Sequence, residues 1–265
     1  MAASASGSAG ALRGKRLIGL SVLVGFPLLI QLIVLIFSAG SGTSFNVFAE
    51  NVQAYVRIII PLALIFLGTA ALGDEWEGGT ASYIVAAPIA RGHIVLGRWI
   101  ASAHRALILI VPALLLLFAM CMIPHAGTFA DYAGIYITRL IWILVAVSLL
   151  SLGYTAVFLF FGLALKRSVM TSLVYVLVFE GLIGNLPHGF ATLSMSFHAR
   201  NLIWRMTELT SFQPPTFGIV DATPITAVQS VLTIVIWAVA ALVMSTWLLK
   251  RKEVTGSTQG ESSDG

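Results

Sequence analysis

The sequence predicts an all-α integral membrane protein of six transmembrane helices, with both termini on the cytoplasmic side. Three observations carry that expectation. Of 265 residues, 58% are hydrophobic and only 10% charged, where a soluble domain carries about 25% charged residues. The mean hydropathy is +0.96. The apolar residues also gather into long runs, and about 20 residues of helix cross a hydrocarbon core of roughly 30 Å at 1.5 Å per residue.

The first run, 17–38, follows Arg13, Lys15 and Arg16. It is longer than the ~7–15 residues of a secretory h-region, so it reads as an uncleaved span. A short outer loop, 39–53, leads to the second run, 54–73. A polar segment, 74–98, precedes the third run, 99–123. A second outer loop, 124–133, precedes the fourth, 134–165, which exceeds the spanning length and must tilt or project. Lys166 and Arg167 make a tight inner turn, so the fourth and fifth runs are antiparallel neighbours. The fifth run covers 168–187 and the sixth 225–249. Between them, 188–224 is a long outer segment, amphipathic through Leu193, Met195, Phe197, Leu202, Ile203, Trp204, Met206, Leu209 and Phe212. Such a segment lies in the interface or dips partway in. Pro27, Pro61 and Pro112 fall within spans, where membrane helices tolerate kinks. Residues 1–12 and 254–265 are rich in Gly and Ser and read as disordered tails, leaving 13–253 as the membrane domain.

Orientation follows from Lys and Arg near the helix ends. With the N-terminus inside, Arg13, Lys15, Arg16, Arg91, Arg98, Lys166, Arg167, Lys250, Arg251 and Lys252 are cytoplasmic. Only Arg57, Arg139, Arg200 and Arg205 fall on the outer side. The net charge of +4 forms no basic patch interleaved with aromatics, so nucleic acid is not an expected partner.

The segment "DEWEGGTASYIVAAPIARGHIVLGRW", 74–99, is the polar exception in this chain. Asp74, Glu75 and Glu77 end a span and stay in water. Gly78 and Gly79 allow a turn without steric cost. Thr80 can cap a short helix that Pro88 stops. The helix would lie across the cytoplasmic face and offer Tyr83, Ile84 and Ala87 on one side. Arg91, His93 and Arg98 then anchor the third span.

In its order of residues this stretch resembles the permease subunits of type-2 ABC transporters: an acid, Gly-Thr, a short helix, Pro-Ile, a basic residue, and a basic residue opening the third span. Glu75 or Glu77, Gly79, Thr80, Pro88, Ile89, Arg91 and Arg98 fall on those positions. "LRGKRLIGLSVLVGFPLLI" is similar to the family's basic lead into a first helix with a mid-span proline. "VYVLVFEGLIGNLP" with "LSMSFHARNL" is similar to its fifth helix and outer segment. The resemblance implies the membrane-spanning subunit of an ATP-driven exporter in a bacterial or archaeal cell membrane. It implies a separate ATP-binding cassette ATPase that carries ATP and Mg, and a second permease chain, in a homodimer surrounded by lipid. The residues it assigns to coupling are Glu75, Glu77, Gly79, Thr80, Tyr83, Ile84, Pro88 and Arg91.

Other chemistry lacks its motifs. No G-x-x-x-x-G-K-[ST] occurs, so ATP would have to be hydrolysed on another chain. H-E-x-x-H and G-x-S-x-G are absent too. The histidines scatter and Cys121 stands alone in an apolar run, so no metal site or intrachain disulfide is expected. Two other function classes fit the layout: a non-transporting scaffold or assembly factor, and an ion-driven carrier. The carrier would need several ionisable groups at mid-membrane.

Glu180 is the one carboxylate within a span, where burial demands protonation, pairing or water. Arg139, on the neighbouring fourth span, is its expected partner. Ser148, Ser151 and Thr155 recur at helical spacing along that span and mark either helix packing or the pathway lining.

Overall fold

The computed structural model describes residues 3–37, 45–71, 90–165, 167–185, 188–213 and 225–260. Helix α1 covers Ala3–Phe37, and α2 covers Phe45–Ala54. A π-helical turn, Tyr55–Ile59, carries α2 directly into α3, Ile60–Ala70. Next come α4, Arg91–Met122, and α5, Ala126–Ala164, joined by a single 3-10 turn at Ile123–His125. Helix α6, Ser168–Tyr175, widens into a second π stretch, Val176–Leu182, and ends in a 3-10 turn, Ile183–Asn185. The short α7, His188–Ala191, precedes α8, Met195–Thr207. Helix α9, Ala227–Gly260, completes the chain. Among the described residues there is no strand.

Five of these helical stretches are long and apolar enough to cross a membrane: Ile18–Phe37, Phe45–Ala70, Arg91–His125, Phe129–Ala164 and Ala227–Arg251. The fifth expected span is represented by the shorter apolar helix Ser168–Leu182. Several helices overrun the apolar windows. Residues 45–53 and 126–133, expected as outer loops, are helical. The windows detect hydrocarbon length, whereas an existing helix propagates at one hydrogen bond per added residue and needs no new nucleus. The same reason accounts for helical backbone at 3–12 and 254–260, where composition suggests disordered tails.

Helix α5 is the hub, packing on α3, α4, α6, α8 and α9. Its spanning stretch and that of α9 share a mean hydropathy of 2.3, yet 67% of one is buried and 22% of the other. Hydropathy therefore reports the solvent of these helices and leaves their packing open. Much of α1 and α9 stays uncovered, with Ile18, Val22, Phe37, Val228, Ile236 and Val243 all exposed. In a bilayer such faces meet lipid or another chain.

Where α3 meets α5 the backbones nearly touch. A Cβ on Gly162 would stand 2.4 Å from the Thr69 carbonyl oxygen, and one on Gly68 would stand 2.5 Å from Phe158 Cβ. Small residues of this kind let membrane helices approach and pack by dispersion. Helix α4 joins the same seam. The Ser102 hydroxyl donates to the Leu67 carbonyl at 2.7 Å, and Trp99 Nε1 donates to the Leu152 carbonyl at 3.1 Å.

Candidate functional site

Two regions merit functional attention: the segment between α3 and α4, and a buried cluster of polar side chains inside the bundle, the Glu180 chamber. Glu75, Glu77, Gly79, Thr80, Tyr83, Ile84 and Pro88 lie outside the described residues. Arg91 is described. It opens α4, behind Ala90 in extended conformation, and is half-buried. What flanks the segment is thus the seam of α3, α4 and α5 described above.

The chamber is built around Glu180, which is 4% exposed. Its carboxylate accepts from the Ser194 hydroxyl at 2.5 Å, from the Met195 amide at 3.2 Å and from the Ser196 amide at 3.0 Å. These donors are the free N-terminus of α8. Ser194 is its N-cap and accepts in turn from the Phe197 amide at 3.1 Å. The first amides of a helix have no intrahelical partner and carry the positive end of the helix dipole, so an anionic oxygen satisfies both. Gly184 makes room for this contact. A Cβ there would fall 2.7 Å from Ser194 Oγ.

Helix α8 is the surprise of the outer segment. Most of its residues are buried, including His198, Arg200 and Asn201. It packs on α5 and α9 inside the bundle, not across its surface. Met195 and Ile234 of α9 sit over Gly153, where a Cβ would be 3.1 Å from the Met195 methyl and 3.0 Å from Ile234 Cγ2. Gly153 is about 16 Å along α5 from its Ala164 end, and Glu180 about 18 Å from Ser168, at 1.5 Å per residue. Both depths are close to half of a ~30 Å hydrocarbon core. The polar side of α8 faces α9. Asn201 Nδ2 donates to Ser230 Oγ at 2.8 Å and to the Ile225 carbonyl at 3.1 Å. His198 Nε2 lies 2.9 Å from the Thr192 carbonyl, and its Nδ1 lies 3.4 Å from Ser230 Oγ. Glu208, at φ 55°, ends the helix in the left-handed region.

Two arginines adjoin this cluster. Arg200 is 2% exposed and donates through Nη2 to the Gly184 carbonyl at 2.9 Å. Arg57 stands close enough to repel it, while Glu180 attracts it. Tyr154 of α5 and Tyr175 of α6 turn their buried hydroxyls toward the same carboxylate. Arg57 and Glu180 each sit on a π-helical stretch. Such turns are rare and concentrate at functional sites.

The expected pair of Glu180 with Arg139 does not form. Arg139 lies over the Phe45 ring at 5.7 Å. It is about 22 Å along α5 from Tyr154, which faces Glu180, at 1.5 Å per residue. Arg200, read from the sequence as an outer residue, is the arginine that the carboxylate attracts. Ser151 and Thr155 are buried, and their hydroxyls bond within α5, Ser151 to the Val147 carbonyl at 2.8 Å and Thr155 to that of Ser151 at 2.9 Å. Ser148 is half-buried. Only the apolar residues of 188–213 enter an amphipathic reading. The signal for the chamber lay in the others: Ser194 before a helix, then His198, Asn201 and Arg205 at helical spacing. Among the described residues no group of three His, Cys, Asp or Glu converges to hold a metal.

The buried half-helix α8 thus sits among five long apolar helices and a shorter sixth. The profile described as ABC-2 family transporter protein matches residues 10–254. The chain belongs to that family. It is thus a membrane permease of ABC-transporter type, and such permeases carry no cofactor of their own. No curated protein matches the chain.

Proposed function

We propose that this chain is the membrane subunit of an ATP-driven exporter, paired with a second copy and driven from below by a separate ATPase that binds ATP and Mg. The ATPase docks on 75–91, and Glu75, Glu77, Gly79, Thr80, Tyr83, Ile84, Pro88 and Arg91 form the handle. The observation that carries this reading is the seam beside that handle. The end of α3 and the start of α4 are both tied to α5, through Gly68, Gly162, Ser102 and Trp99. A push on the segment between α3 and α4 therefore moves three helices as one body. Backbone contacts of this closeness cannot slide, because packed interiors shift between discrete arrangements and do not deform continuously.

The first test is capture. The tagged chain, purified in mild detergent, is expected to bring down an ATPase with a Walker A box. Glu77→Ala and Gly79→Trp are then expected to lower transport-coupled ATP hydrolysis several-fold while the protein inserts normally. Unchanged coupling in both variants would remove the docking role from this segment.

A further inference from the structure

At the end of the bundle where α4 begins and α9 leaves its apolar stretch, the two helices enclose a groove of about 310 Å³. That volume reaches the lower end of the ~300–1,000 Å³ of small-molecule sites. Its floor is Val95, 1% exposed, which packs with Leu159 and Leu163 of α5 and Leu249 of α9. On the α4 wall Gly92 has no side chain to fill the space. Opposite it, the Thr246 hydroxyl turns back to the Leu242 carbonyl at 2.9 Å. Its methyl is left facing Gly92, where a Cβ would stand 3.9 Å away. The α9 wall runs from Leu242 and Val243 at the deep end to Lys250 at the mouth, about 12 Å at 1.5 Å per residue. Lys250 falls at the end of the spanning stretch Ala227–Arg251. Arg251 follows it and lies over the Trp247 ring at 3.9 Å. Val243, Trp247 and Lys250 are all exposed, so the groove opens outward, away from α5.

We propose that this groove holds one anionic phospholipid of the adjoining leaflet, with an acyl chain between α4 and α9 and its headgroup phosphate at Lys250 and Arg251. The order of chemistry along the groove selects that occupant. Apolar walls in the depth suit a hydrocarbon chain and offer nothing to a soluble anion. Lys250 carries its apolar stem along the wall and its ammonium to the surface. Trp247 stands where tryptophans gather, at headgroup level. Cations at this level attract anionic headgroups, and basic pockets between membrane helices suit them. A second copy set here by a two-fold axis would bring the same cations against their own likes. On the orientation expected from the sequence the leaflet is the cytoplasmic one, which carries anionic lipid. The assignment needs no role for 75–91 and stands apart from the exporter reading.

Trp247 gives a direct readout that needs neither ATP nor an ATPase. The full-length chain is reconstituted in phosphatidylcholine vesicles with a minor share of phosphatidylglycerol brominated on its acyl chains. Parallel vesicles carry brominated phosphatidylcholine instead. Bromine quenches indole fluorescence on contact. Of the six tryptophans, the one at the groove is isolated by subtracting the signal of Trp247→Phe in each background. Its quenching should saturate at a share of brominated phosphatidylglycerol at least about fivefold below that needed with brominated phosphatidylcholine, the worth of one basic residue at a lipid surface. Lys250→Gln combined with Arg251→Gln should bring the two lipids together, and the remote Arg139→Gln should leave the preference intact. Gly92→Leu fills the groove and should remove the saturable phase for both lipids. Should Gly92→Leu fail to fold, the charge variant decides. Equal quenching by the two lipids in the native chain, or a preference that survives the charge variant, overturns the proposal and leaves ordinary surrounding lipid. A Trp247 shielded from both lipids also overturns it and gives the groove to another protein chain.

Discussion

Helix α5 meets two partners in opposite ways. Against α3 it closes through Gly68 and Gly162 onto backbone and Cβ atoms, and no side chain fits between. Against α8, about 14 Å further along at 1.5 Å per residue, it also offers a glycine. There Gly153 faces the tip of Met195, a flexible side chain, and the polar bonds of α8 run to its other neighbours, Glu180 and Ser230. The first seam is fixed by sterics. The second is apolar, and α8 is held beside it from the neighbouring Val176–Leu182 stretch, by hydrogen bonds of one hydroxyl and two helix amides to the Glu180 carboxylate. Hydrogen bonds can be exchanged for others, while overlapping backbones cannot. The difference teaches where rigidity and switching are divided in this bundle: rigid beside the segment between α3 and α4, exchangeable around Glu180.

The sharpest way to break this contrast is Glu180→Leu. It orphans the donors at the start of α8 and leaves Arg200 without the carboxylate that attracts it. Loss of one partner from a buried charged cluster costs roughly 3–5 kcal/mol. Hydrogen exchange should rise across 195–207 while 60–70 and 158–162 stay protected. Equal deprotection of both seams would show that they are one unit. Gly162→Val comes next. Overpacking a contact of this kind costs about 1–3 kcal/mol, read as a lower melting temperature in detergent, and here the α3 amides should lose protection while those of α8 keep theirs. A melting temperature equal to that of the native chain would mean that α3 and α5 can part easily. The smallest effect is expected from Ser151→Ala and Thr155→Ala. Both hydroxyls bond only carbonyls of their own helix, so each change should cost about 1 kcal/mol and leave transport intact. A clear transport defect at either position would move that face of α5 into the pathway.

The long helices were legible because apolar length is a local property. Any window of about 20 greasy residues must solve the same solvent problem in a bilayer. The fifth span was legible only as a run, since its π stretch at Val176–Leu182 and its early end at Asn185 leave no mark on hydropathy. The chamber was half legible. Glu180 stood out because a carboxylate in a span is costly, but its partner was misassigned to Arg139. A contact between Glu180 and α8 depends on the chain folding back after Leu182, and helix periodicity on either side carries no information about that return.

By itself, then, the sequence determined the membrane as solvent, the helical class, and the lack of a phosphate-binding loop in this stretch of chain. Each follows from residue type and short spacing, which act additively along the chain. Only the tertiary structure decided that α8 lies inside the bundle, that its N-terminus meets Glu180, and that Arg200 bonds the Gly184 carbonyl. Those are pairings between groups far apart in sequence. They are fixed by which buried donor finds which acceptor, and the cost of leaving such a group unpaired is felt only once the helices have packed.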